Sequence, residues 1–129
     1  MLPKMFFGHS MADVEAAANQ WLTTVDNKVV NVELALCGEG PGRTNYGITV
    51  VIWTAGPADA KPLLNPQLKL FEWQPSNSYD RNKPTDEQVR NWLDEKPGRS
   101  LISADLAVTG EYGLVTHVIA IAVLYTEEG

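Results

Sequence analysis

Residues 29–54, VVNVELALCGEGPGRTNYGITVVIWT, are answered without a gap by residues 101–126, LISADLAVTGEYGLVTHVIAIAVLYT, seventy-two positions later. The two stretches share Leu34/Leu106, Ala35/Ala107, Gly38/Gly110, Glu39/Glu111, Thr44/Thr116, Val51/Val123 and Thr54/Thr126, and Ile52-Trp53 stands against Leu124-Tyr125. In the first stretch Val30, Val32, Leu34 and Leu36 alternate with Asn31, Glu33 and Ala35, the period of a strand with one face on a core. Residues 46–54 read as a second strand. Between them Gly38-Glu39-Gly40-Pro41-Gly42-Arg43 reverses the chain and favours an antiparallel hairpin. The chain therefore reads as one supersecondary unit used twice.

Working outward, each hairpin is preceded by a strand and a helix. Lys4 to Gly8 is a short apolar run. Ser10, three residues before Asp13, opens an amphipathic helix from Met11 to about Val25, which Asp26-Asn27 ends. In the second unit Leu68 to Trp73 alternates as a strand, and a polar loop, residues 74–84, follows. Thr85 and Gln88 then give a second capping-box start, for a helix that Pro97-Gly98 stops near Lys96, about one turn shorter than the first. Residues 55–67 hold Gly56, Pro57, Pro62 and Pro66 and form a connector, because proline disfavours a helix interior or a central strand. The expected fold is α+β: two β-α-β-β repeats, about 4–55 and 68–127, in a single domain. Each antiparallel sheet is packed by one helix, and a pseudo-twofold relates the units. The sheet face away from each helix is expected to carry Gly47, Thr49, Val51 and Trp53 in one unit and Ile119, Ile121, Val123 and Tyr125 in the other. So apolar a face should meet the second unit or another subunit, which implies a homo-oligomer.

A length of 129 residues with 44% apolar content supplies one core without metals or disulfides. The net charge of -6 argues against nucleic acid as main partner, since phosphates are met chiefly by Lys and Arg. The longest apolar runs are strand-sized, well short of the roughly 20 residues of a membrane helix. With no secretory signal visible in MLPKMFFGHS, a cytoplasmic setting is expected. The single Cys37 has no intramolecular disulfide partner and excludes a multi-cysteine zinc site.

Phe6-Phe7-Gly8, Val14-Glu15, Asn19-Gln20-Trp21-Leu22, residues 30–36 and residues 50–54 follow a pattern of strand, helix with a ϕ-E-x-x-x-N-x-W-L run, then two strands. Residues 89–93, 102–108 and 123–126 match it more loosely. In this the chain resembles a tandem copy of short phage and sporulation-associated proteins of unknown activity. The resemblance implies a fold and brings no catalytic residues with it. Dodecins share the order of elements only, without the duplication.

Three places are candidates for function. Gly38, Gly40 and Gly42 with Arg43 and Tyr46 offer backbone amides and a guanidinium to an anion, although the spacing is not that of a P-loop and a strand follows. Its plain alternative is a hairpin turn. The loop 74–84, with Tyr79, Arg81 and Lys83, is long, polar and without a counterpart in the first unit, as functional insertions on rigid scaffolds are. Its plain alternative is a tolerated surface insertion. Trp53 and Trp73 lie at strand ends where an indole can stack on a base, whereas Trp21 and Trp92 fall on buried helix stripes. Arg99 adds a further cation.

Cys37, His9 and His117 have no third group to orient them, and no metal-ligand spacing is present. The expectation is a non-enzymatic protein, without cofactor, that binds a small polar or anionic ligand, a nucleotide-like one among the candidates; if the phage resemblance holds, the ligand is a host signalling nucleotide. The alternative is a protein-interaction module or inhibitor acting through an acidic surface of Glu15, Asp86, Glu87, Asp94 and Glu95.

Overall fold

The computed structural model describes residues 1–38, 46–56, 65–73, 85–110 and 117–127. Along the chain run β1 (Leu2–Gly8), α1 (Met11–Leu22), β2 (Val29–Gly38), β3 (Tyr46–Thr54), β4 (Gln67–Trp73), α2 (Thr85–Glu95), β5 (Arg99–Gly110) and β6 (His117–Glu127). The class is α+β. Two three-stranded antiparallel sheets, β1-β3-β2 and β4-β6-β5, each carry one packed helix. Neither helix is long and apolar enough to cross a membrane.

Local chemistry sets the helix ends. The Ser10 hydroxyl accepts from the Asp13 amide at 3.3 Å, the expected N-cap of α1. The helix stops at Leu22 rather than Val25. The hydroxyls of Thr23 and Thr24 turn back onto the carbonyls of Gln20 and Trp21, at 2.7 Å each, and so satisfy end groups without another turn. The Thr85 half of the expected second capping box is not formed: among the described residues Thr85 Oγ1 is buried without a hydrogen-bond partner, and Gln88 Nε2 donates to the Glu72 carbonyl at 3.1 Å. At 11 residues against 12, α2 is one residue shorter than α1, not a turn.

The register of the hairpins corrects the ungapped pairing of the two stretches. Phe6 pairs with Val50 and its ring meets Trp21 of α1 edge-on, with centroids 5.7 Å apart; Phe71 pairs with Ile121 and meets Trp92 of α2 in the same way at 5.6 Å. Leu34 pairs with Val50, and Leu106 with Ile121. The bulges, between Val29 and Asn31 and between Leu101 and Ser103, also coincide. The offset is thus 72 between β2 and β5 but 71 between β3 and β6, because seven residues separate Gly38 from Tyr46 and six separate Gly110 from His117. One residue of slip turns every side chain to the other face. So Val51/Val123 is a coincidence of letters: Val51 faces away from α1, while Val123 packs beneath α2 with Phe71, Trp92 and Tyr125. The expectation that Ile119, Ile121, Val123 and Tyr125 meet the other unit is overturned for that reason.

The face that does meet the first unit holds Leu68, Leu70, Val118, Ala120, Ala122 and Leu124, which join Val14, Ala18 and Leu22 of α1 and Val32, Leu34, Ile48, Val50 and Ile52 in one core. Two seams close it. Along one, β2 and β5 lie parallel without a backbone ladder, and β5 side chains replace it: Val32 N donates to Ser103 Oγ at 3.2 Å, Leu34 N to Asp105 Oδ2 at 2.8 Å, and Ser103 Oγ to Asn31 Oδ1 at 2.6 Å. Along the other, α1 covers the outer edge of β4. Asn19 gives its Nδ2 to the Leu68 carbonyl at 3.0 Å and takes the Leu68 amide on Oδ1 at 2.7 Å, while Glu15 Oε2 accepts the Leu70 amide at 2.9 Å. Polar helix side chains here do what a neighbouring strand would do for an edge. The six strands curl around α1, and α2 remains outside.

Candidate functional site

Because β2 and β5 are parallel, and β1 and β4 run parallel to them within their sheets, all four strands point their carboxyl ends to one end of the molecule. The backbone of Gly8, Gly38, Tyr46, Trp73, Gly110 and His117 marks that end. Residues 39–45, with Arg43, and 74–84, with Tyr79, Arg81 and Lys83, lie outside the described residues, as does the side chain of Tyr46. Their attachment points do not: both segments leave the sheets at this end.

Trp53 and Arg99 belong to the opposite end. Trp53 pairs with Asn31, beside Ser103, whereas Trp73 lies in line with Val108, five residues further on, or about 16 Å along the strands. The two indoles cannot grip one ligand. Trp53 Nε1 is enclosed without a hydrogen-bond partner among the described residues. Arg99 is only 9% exposed at its side chain and is committed to the fold. Its guanidinium lies over the Trp92 ring with Cζ 4.1 Å from the centroid, donates to the Trp92 carbonyl and, through Nε, to Glu127 Oε1 at 3.1 Å, and sits 3.7 Å from Glu95. Burial of this stacked ion pair, not ligand capture, explains the residue.

That opposite end holds a cleft of about 920 Å³, lined among others by Asn19, Thr23, Gln67, Glu95, Lys96 and Glu127. The carbonyl ends of both helices and two carboxylates border it, which disfavours an anion there. Next to it, Tyr125 donates to Gln67 Oε1 at 2.9 Å. Burial first, and then the charge of Glu127, raises its phenol above the usual value. Folding thus favours the protonated phenol. The stabilisation is complete below the unfolded pKa, near 10, and is lost as pH rises through the higher folded value. Urea midpoints taken at about pH 8 and about pH 11 should fall more steeply for the native chain than for Tyr125→Phe; equal slopes would exclude this role.

The other candidates resolve as follows. Cys37 is exposed and, across Gly47, approaches Phe7, whose ring packs edge-on against His9 with centroids 5.3 Å apart. The apolar Phe7 ring is thus a neighbour of both Cys37 and His9; the side chain of His117 is outside the described residues. Glu15 leaves the supposed acidic surface, since its carboxylate holds the β4 edge and sits 3.8 Å from Lys69. Asp86 and Glu95 remain exposed on α2. Among the described residues no cluster of His, Cys, Asp and Glu is arranged to hold a metal.

What sequence reasoning missed is the pair Glu15 and Asn19. Two polar residues four apart on the flank of a helix are a usable signal, though one that also fits a solvated face. No protein-family model, curated protein or solved structure matches the chain.

Proposed function

We propose that the chain is a non-enzymatic binding protein whose site for a small anionic ligand, nucleotide-like in class, lies at the end where β1, β2, β4 and β5 terminate. The observation that supports this is topological: the two polar segments singled out in the sequence attach to different sheets yet leave them at one end. A rigid frame that gathers variable connections at one end is a common way to build a site. Arg43, Arg81 and Lys83 supply charge in this reading, Tyr46 and Tyr79 hydrogen bonds, and Trp73 a stacking surface; Trp53 and Arg99 are left out. The frame is two copies of one unit joined at the β2–β5 seam, and the assembly is a homo-oligomer. The resemblance to phage proteins extends the reading to sequestration of a host signalling nucleotide in a cytoplasmic setting.

A thermal-shift panel of mononucleotides, cyclic nucleotides and inorganic phosphate tests it. A ligand present at about 100 times its Kd adds about 2.7 kcal/mol and a clear rise in Tm. Arg43→Ala and Arg81→Ala should each remove the rise without lowering the Tm of the free protein, while Arg99→Ala should lower that Tm. No rise with any member of the panel would end this reading.

A further inference from the structure

The contact inside the chain has a vacant counterpart on its surface. With Phe6–Trp21 set on Phe71–Trp92, the strand positions Val29, Leu34 and Leu36 fall on Leu101, Leu106 and Val108. The first three are covered by α1 and the second sheet, with Leu34 only 7% exposed. Their counterparts are 58%, 57% and 57% exposed, since α2 packs mainly on β4 and β6 and meets β5 at its first residue, Arg99. All three positions on β5 have nevertheless kept large apolar side chains.

The surface that would fill such a strip is vacant too. In the chain the strip beside α1 receives Leu68 and Leu70 of β4 with Ala122 and Leu124 of β6. In the same superposition these fall on Pro3, Met5, Val51 and Trp53, the outer face of the first sheet, where Met5 is 64% exposed and Phe7 beside it 60%.

The edge chemistry also matches. Glu15 and Asn19, which bond to the edge of β4, fall on Asp86 and Arg90 of α2, which among the described residues pair with each other at 3.6 Å and are both well exposed. β1 is an edge strand. Leu34 donates away from β3, so Val50 opposite it donates toward β1 and bonds with Phe6; the intervening Met5 turns its N–H to the open side, as Leu70 does. Where Leu68 both donates and accepts, Pro3 can only accept, and Arg90, in the place of Asn19, can only donate.

We propose that a second copy of this chain docks there: its β1, with the Met5 and Val51 face of its sheet, lies on Leu101, Leu106 and Val108 beside α2, reciprocally, in a twofold dimer. Asp86 accepts the Met5 amide and Arg90 donates to the Pro3 carbonyl. Isologous contacts of this kind use one surface on both subunits, and here the two halves of that surface adjoin across the β2–β5 seam. Apolar side chains left in water on both halves give the association its driving force.

Sedimentation equilibrium of the full chain should give twice the 14.2 kDa mass of one chain. Met5→Lys and Leu106→Lys, both at exposed positions, should each return it to one chain with an unchanged circular-dichroism spectrum. Arg90→Ala should weaken dimerisation by about a hundredfold, as expected for loss of two charge-assisted hydrogen bonds, one at each copy of the contact and each worth about tenfold. A single-chain mass at every concentration, or a dimer untouched by both lysine substitutions, would overturn the proposal. Neither outcome bears on the ligand reading, which is judged by the thermal shifts.

Discussion

Replacing Trp92 by alanine should cost about 3–5 kcal/mol, the range for truncating a buried aromatic. Three contacts converge on this indole: Phe71 at 5.6 Å, Tyr125 at 4.6 Å and 85° to it, and the Arg99 guanidinium at 4.1 Å. The small core beneath α2 is built around it, so truncation frees the helix from the sheet and exposes the ion pair of Arg99 and Glu127 to water. Chemical denaturation followed by far-ultraviolet circular dichroism measures the loss. Trp92→Phe, which keeps a ring against Phe71 and Tyr125, should lose less than half as much. A loss below about 1 kcal/mol for the alanine variant would mean that α2 is not anchored by this side chain.

Asn19→Leu should be nearly as damaging, at about 2–4 kcal/mol, because it leaves both the amide and the carbonyl of buried Leu68 without partners. Asn19→Asp is the sharper variant. It keeps size and the acceptor for the Leu68 amide, yet near neutral pH it sets a carboxylate oxygen against the Leu68 carbonyl. It should be no more stable than the leucine variant near neutrality, and should recover as pH falls and the carboxyl gains a proton to donate. Here the protonated form is the one folding favours, so its pKa is raised and the recovered stability is lost again as pH rises through that value. Urea midpoints over an acidic to neutral series test this, and a native midpoint near neutrality for Asn19→Asp would show that α1 does not hold the β4 edge in this way.

Much of the fold was legible in the sequence because it depends on short-range patterns. The alternation in residues 30–36 and the Ser10 cap each placed an element within a few residues of where it lies. Residues that are local in sequence but distant in consequence were misread. A connecting segment one residue shorter after Gly110 than after Gly38 leaves the two stretches alignable by eye while it reverses the face of β6. The candidate site was legible only as polar segments and lone cations. Arg99 looked like a free charge because nothing in its neighbours reveals that Trp92 and Glu127 close on it.

The sequence by itself determined the order of strands and helices, the hairpins and which helix faces are apolar, since hydrophobic period, capping and turn chemistry act within a few residues. Tertiary structure decided which sheet face meets which layer, that α1 lies inside the curl and α2 outside, and that Glu15 and Asn19 are edge partners of β4 while Asp86 and Arg90 are not. The physical reason is that a strand edge and a helix flank carry the same residue types whether they meet protein or water; only the packing of distant segments supplies the partner.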